Sequence, residues 1–419
     1  MMRPVVLATI LALLFCNCLM TTSGKEQEAS KPTTLTKEQW RQDLQYFAKE
    51  LPKRHKNAFH NVTREEFERM VAELDARIPS LQDDQIAVGM LRITAKVGDA
   101  HTYVHLPQPI KVYPLALYWF GNDLRVIATD ADSQRALGAR LVRIGDLGID
   151  EVMTRMRSII CQAENEWLIM NSSATDFTFA AALHSLGIVP DQDRAKFTFE
   201  DDEGKQFALD LQSTPATQPI KLKGLRATKE PPLYRQKPGE PFWFTYLEDA
   251  QTVYVNFRGY AALGENAKKL FDFIDHHPVK KLVIDMRQNG GGDFFEGRKH
   301  LIQPLKQRSS VSQKGRLFVI TGRGTASAAM ANAIDFRKEL NAILVGEPTG
   351  ERPNSYQERK DMKLPNSGIF VSYSTQYYKF LDEDILAVMP DQRIDPDWRD
   401  YKAGRDPVME WIFSYADGN

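Results

Sequence analysis

Between Leu317 and Leu340 the chain passes from Leu317-Phe318-Val319-Ile320-Thr321 through Gly322-Arg323-Gly324-Thr325-Ala326-Ser327 into a helix-forming run. A short apolar run rich in β-branched and aromatic residues favours a strand, and small residues then permit a tight turn before a helix begins. The flanking sequence repeats the theme. Thr252 to Phe257 reads as strand, Ala262 to His276 as helix, Lys281 to Met286 as strand, Ser327 to Leu340 as helix and Ala342 to Val345 as strand. Strands interleaved with helices predict an α/β layer with crossover connections. Asp406 followed by Pro407 predicts the start of a terminal helix, since a capping carboxylate precedes a residue whose missing N–H costs nothing there.

The first half has a different texture. Thr36 with Gln39, and Thr63 with Glu66, match the capping-box spacing, and Phe67, Met70, Val71, Leu74 and Ile78 form one stripe of a helix. A third helical stretch, Asp84 to Val97, should stop at Gly98, which can adopt the left-handed conformation. From Ile110 to Gln212 short strand-like runs (Val112 to Trp119, Leu124 to Ala128, Leu141 to Ile144, Lys196 to Phe199, Phe207 to Leu211) alternate with helical stretches near Asp150 to Ile160 and Asp176 to Leu186. Together they predict a small α+β module. Residues 213–240, rich in Pro, Lys and Thr, read as a linker or exposed arm.

A chain of 419 residues has room for roughly two to three domains. Its 54 basic and 55 acidic side chains balance, so global charge offers nothing to nucleic acid or an anionic membrane surface. Arg3, the apolar run Val5 to Phe15 and the small polar residues ending at Gly24 read as a secretory signal, too short for a transmembrane helix. Export to a periplasm, cell envelope or medium is therefore expected. Cys16 and Cys18 fall inside this segment and are candidates for a lipid anchor. If cleavage occurs near Gly24, Cys161 alone remains and no intrachain disulfide can form. Asn61 and Asn171 are glycosylation sequons, relevant where the host glycosylates exported proteins.

Three segments carry residues suited to chemistry. Ser327 stands where a strand-to-helix turn would expose its hydroxyl, with the helix's first N–H groups and positive dipole end able to stabilise an oxyanion; equally, serine is a common helix cap. Asp285-Met286-Arg287-Gln288-Asn289-Gly290-Gly291-Gly292 runs from a strand into three glycines, which can aim N–H groups at one point or simply make a turn. No Gly-Lys-Ser/Thr follows, so a phosphate loop is excluded. His101, in Asp99-Ala100-His101-Thr102, has the near-neutral pKa of a general base. His105 shares a strand face with it, but no further ligand stands at metal spacing, so neither a metal nor a cofactor is expected.

Taken in order, these segments resemble the S41 peptidase family, the tail-specific (C-terminal processing) and tricorn-core proteases. The resemblance rests on Asp99 to Thr102, Asp285 to Gly292, Thr325 to Ala328 and Val345-Gly346-Glu347-Pro348-Thr349-Gly350, with Leu364 to Gly368 and Gly404 to Pro407 as further likenesses. It implies an α/β fold with a crotonase-like catalytic domain (residues 241–415), a helical N-terminal domain carrying the histidine (36–106), a PDZ-like α+β module (110–212) and a linker (213–240) behind a signal peptide (1–24). The module shows a PDZ-like Gly138 to Asp146 stretch but no Gly-Leu-Gly-Phe loop. The implied activity is serine peptidase action on a polypeptide substrate.

One departure shifts the expected base. The tail-specific branch uses a lysine after the Gly-Glu-Pro-Thr element; counting from Gly346, that position holds Arg352, which keeps its proton at physiological pH. The tricorn-like branch uses a histidine, matched by His101, although Ala100 replaces the serine that precedes it there. The resemblance then implies Ser327 as nucleophile, His101 as base, and N–H groups of Gly291 or Gly292 with Ala328 as oxyanion hole. Glu383 and Asp384 are the first candidates for the third member, with Glu358 and Asp99 behind them. Competing readings are a non-catalytic binder of hydrophobic ligands or peptides on the same fold, and hydrolysis of a non-peptide ester or amide.

Overall fold

The structure, a computed structural model, describes residues 35–162, 164–225 and 230–416. The signal-like segment with Cys16 and Cys18 lies outside these residues. No helix among the described residues is long and apolar enough to cross a membrane.

Three helices open the described chain: α1 (Lys37–Arg54), α2 (Arg64–Arg77) and α3 (Asp83–Val97). Thr36 and Gln39 form the reciprocal capping box, each side chain bonding the other's backbone. At α2 Thr63 alone caps, accepting from the Glu66 N–H. The helix α3 ends at Gly98 in the left-handed region, at φ 108°.

The chain then enters β1 (Tyr103–Val104), followed by β2 (Leu115–Phe120), β3 (Asp123–Thr129) and β4 (Arg140–Ile144). Next come α4 (Ile149–Met156), α5 (Glu166–Asp176) and α6 (Ala180–Ser185), then β5 (Arg194–Glu200) and β6 (Gln206–Gln212). The strands β2 to β6 form an antiparallel sheet. Its core is continuous with that of the opening helices, because Ile86 and Val97 of α3 cluster with Leu117, Leu141 and Phe197.

The second half is built on β7 (Phe242–Leu247), β8 (Thr252–Phe257), α7 (Leu263–His276), β9 (Lys281–Asp285) and β10 (Leu317–Thr321). After these come α8 (Ala328–Leu340), β11 (Ile343–Gly346), the long hairpin β12 (Asn354–Lys363) and β13 (Phe370–Lys379), β14 (Gln392–Arg393) and α9 (Pro407–Ser414). The sheet order is β7-β8-β9-β10-β11-β14, antiparallel at the first pair and parallel at every later one. Alternate residues serve opposite faces. Leu282, Ile284, Leu317, Val319 and Leu344 pack under α7 and α8, while Val283, Phe318, Ile320 and Val345 pack against Val408, Met409 and Ile412 of α9. Burial on both sides explains why these strands read as unbroken apolar runs.

A third, small sheet joins the halves. The strand β1 pairs with β13 (Tyr103 opposite Ser372, Val104 opposite Val371), and β13 pairs with β12. The segment just after His101 is thereby stitched to a hairpin belonging to the second half.

Candidate active site

Three loops leave the C-terminal ends of three adjacent parallel strands and converge, as expected of a site on an open parallel sheet. The loop after β9 carries Gly290 to Gly292, the loop after β10 carries Ser327, and the loop after β11 carries Glu347 to Arg352.

Ser327 holds the N-cap position of α8, yet its side chain makes no capping bond. Its backbone sits at φ 52° and ψ −126°, outside the regions open to most side chains. The turn is braced from below. The Thr325 hydroxyl donates to the Met286 carbonyl at 2.7 Å and accepts from the Gly322 N–H at 3.0 Å, and the Ala326 N–H donates to the Asn289 carbonyl at 3.1 Å. The hydroxyl so presented lies 3.3 Å from His101 Nε2. The helix-cap role of Ser327 is thus set aside.

Asp99 fixes the histidine turn. Its Oδ1 accepts from the His101 N–H at 3.1 Å and from the Ser374 hydroxyl at 2.6 Å; its Oδ2 accepts from His55 Nε2 at 2.9 Å. Nδ1 of His55 in turn accepts from the Asn57 N–H at 2.9 Å, so Nε2 carries that ring's proton. Burial alone would raise the Asp99 carboxyl, but the bonds from His55 and Ser374 hold it below its usual range. For His101, burial lowers the pKa, opposed by the charges of Asp99 and Glu164, so the ring favours its neutral form.

The glycine loop faces the serine closely. A Cβ on Gly291 would lie 2.8 Å from Ser327 Cβ, and one on Gly292 would lie 2.4 Å from the Tyr260 ring. The Gly291 N–H is engaged by Asn289 Oδ1 at 3.0 Å, and Asn289 is itself anchored through Nδ2 to the Phe257 carbonyl. This takes the Gly291 N–H out of the candidate oxyanion donors. Gly292 and Ala328 remain, the latter opening α8 where an N–H has no intrahelical acceptor.

Asp99 reaches the His101 N–H, but the other carboxylates near the pair are not Glu383 and Asp384, the first candidates. Glu383 and Asp384 stand on an exposed stretch; Asp384 pairs with Arg352 Nη2 at 3.0 Å, and Glu383 is held through its carbonyl by Asn354. Glu358 accepts from the Tyr378 hydroxyl. Two other acids approach instead. Glu351 Oε2 accepts the Ser327 N–H at 2.6 Å, and Glu164 accepts the N–H groups of Ala100 at 3.4 Å and Arg352 at 3.0 Å. Burial is the leading cause that pushes both carboxyls up, to about 7 for Glu351 and about 8 for Glu164. Glu351 had a signal in sequence, standing directly after the Gly-Glu-Pro-Thr-Gly element; Glu164 had none.

A buried ion pair supports the turn. Arg323 Nε donates to Glu347 Oε1 at 2.9 Å, and Glu347 Oε2 accepts from the Tyr118 hydroxyl of β2 at 3.2 Å. Asp285 and Arg287 are structural: Arg287 bridges Asp285 to Asp406, the cap of α9. His105 bonds Ser372 rather than any site group. Among the described residues no cluster of three or more His, Cys, Asp or Glu side chains could hold a metal ion.

Residues 296–399, which include Ser327 and Glu351, match the family model of peptidase family S41. No curated protein matches the chain. Among solved structures, mature CPAF complexed with lactacystin is similar, with TM-score 0.59 at 10% identity over 90% of this chain and 97% of that one. A point mutant of CPAF gives TM-score 0.62 at 12% identity, over 90% and 97% of the two chains. The photosystem II D1 C-terminal processing protease gives TM-score 0.43 at 14% identity, over 88% and 99%. With CPAF, at these identities, the likeness is one of fold.

Proposed function

We propose that this chain is a serine peptidase of family S41 that cleaves polypeptides through an acyl-enzyme on Ser327, with His101 as general base, and that it works after export. The observation that carries the reading is the 3.3 Å approach of His101 Nε2 to a serine hydroxyl that does no capping work.

Ser327 Oγ attacks the scissile carbonyl as His101 Nε2 takes the hydroxyl proton. Negative charge then collects on the carbonyl oxygen, where the N–H groups of Ala328 and Gly292 supply donors that need no reorganisation. The imidazolium returns its proton to the leaving amine, which departs and leaves the acyl-enzyme. Water, deprotonated by the same ring, releases the acid product. Asp99 touches no reacting atom in this scheme; it holds the His101 main chain and places a negative charge near the imidazolium.

The test is Ser327→Ala against casein and a peptide panel, with fluorophosphonate labelling of the unsubstituted protein. Labelling at Ser327, and loss of both labelling and hydrolysis in the variant, are expected. Hydrolysis at wild-type level in Ser327→Ala would overturn the reading, and a folded protein that takes no label would favour a binder on this fold. Mass spectrometry of the chain recovered outside the cytoplasm should show a new N-terminus near Lys25; a retained Met1 would overturn export by cleavage.

A further inference from the structure

Three hydrogen bonds link the base to the nucleophile by a route that bypasses the reacting atoms. The Ser327 N–H ends on Glu351; the next residue, Arg352, donates its N–H to Glu164; and Glu164 also receives the N–H of Ala100, one residue before His101. Glu164 lies on the loop leading into α5, so this carboxyl comes from the first half of the chain and grips one loop from each half.

We propose that Glu164 and Glu351 are positioning residues for the hydrolysis above, which set the Ser327–His101 separation by receiving backbone N–H groups of the loops that carry the two residues. The proposal rests on the peptidase reading of the same site.

Their protonation bears on how firmly those loops are held. The groups facing Glu164 are Glu351, Asp99 and His101, and Glu351 likewise faces Asp99. Asp99 is kept ionised by His55 and Ser374, and the nearby guanidinium of Arg352 is directed to Asp384. Two further ionised carboxyls beside Asp99, shielded from water, would repel one another and pull apart the loops they hold. One proton removes that repulsion while every N–H keeps an oxygen acceptor. Burial raises both carboxyls, to about 7 for Glu351 and about 8 for Glu164, so their charge changes near neutrality.

Stability follows with a definite sign. Both carboxyls are raised above their unfolded value of 4.5, so their neutral form stabilises the fold fully below that value, and the contribution is lost as pH rises through about 7 to 8.

Glu164→Gln, Glu351→Gln and Glu164→Ala are compared with the wild type. Glu164→Gln cannot ionise but keeps an oxygen for only one of the two N–H groups that Glu164 Oε1 and Oε2 receive, so its kcat should fall at neutral pH, by less than in Glu164→Ala, and should depend less on pH above about 7 than that of the wild type. Glu164→Ala should lose about a hundredfold in kcat with little change in KM, because the reactive groups are misplaced while substrate contacts persist. Thermal unfolding is followed in parallel across the same pH range and needs no turnover: the wild type should lose Tm as the carboxyls ionise, and Glu164→Gln, which keeps only Glu351 to ionise, should lose less. Identical Tm-against-pH curves for wild type and both Gln variants would overturn the link between these carboxyls and the pH dependence of the fold whether or not the protein proves to be a peptidase. Wild-type kcat in Glu164→Ala, with Ser327 still labelled by fluorophosphonate, would overturn the positioning role alone.

Discussion

Gly291 lies so close against Ser327 that a single added carbon would overlap it: a Cβ built on Gly291 falls 2.8 Å from Ser327 Cβ and 3.2 Å from the Ala328 nitrogen. Gly291 also has φ 115°, a conformation that strains any L side chain. Gly291→Ala should therefore push the glycine loop off the nucleophile turn. Expected is a loss of about a hundredfold in kcat/KM with a stability cost of about 1–3 kcal/mol, read by peptide hydrolysis and urea unfolding. Full activity in this variant would mean that the loop's approach to Ser327 does not matter.

The pH dependence of turnover should betray His101. Burial shifts its pKa below the usual 6.5, so the neutral ring persists into more acidic solution than a free imidazole would. The acid limb of kcat/KM should accordingly fall below pH 6.5, and His101→Ala should abolish the limb together with the activity. A limb at or above 6.5 would assign it to another group.

His55→Phe removes a donor from a buried carboxylate. Asp99 keeps Ser374 and the His101 N–H but loses the partner on its other oxygen. Denaturant titration should register about 3 kcal/mol of destabilisation, and the histidine turn should loosen, lowering kcat more than it raises KM.

Glu383→Ala and Asp384→Ala probe residues that the linear sequence placed in the mechanism and the fold places on an exposed stretch. The Asp384 side chain is 67% exposed in its pair with Arg352. Such pairs contribute about 0–1 kcal/mol, so both variants should keep near-wild-type stability and turnover. A collapse of activity in either would restore it as a candidate for the third member.

The Arg323–Glu347 pair predicts the opposite. Both side chains are nearly inaccessible, at 6% and 7% exposure. Arg323→Ala leaves Glu347 charged and buried, and should cost about 3–5 kcal/mol. Since Arg323 stands four residues before Ser327, activity should fall with stability.

The strands and helices legible in the sequence were those whose partners are close by. Thr252 to Phe257 and Leu317 to Thr321 were read at their observed bounds, because burial on both faces makes an uninterrupted apolar run. The hairpin β12–β13 was not read. Its outer residues, such as Glu358, Lys360 and Asp361, are polar, and β13 also pairs with β1 from far upstream. The helix α5 was missed because Asn165 caps it while its amide also holds the Thr349 and Leu386 carbonyls, an anchoring no local pattern reveals. At the site, Ser327, His101 and the glycines stood out by residue type and order. Glu164 stayed invisible because its function is to receive backbone N–H groups brought to it by the fold, and such bonds impose no spacing on the chain.

Ser327 and His101 are separated by 226 residues, and the sheet beneath Ser327 is closed on one face by α9, near the end of the described chain. A ribosome making this protein therefore finishes the base long before the nucleophile, and the nucleophile's support later still. Every nascent form short of α9 leaves Val283, Phe318, Ile320 and Val345 without that cover, so the sheet that carries the nucleophile is the last part to be sealed from water.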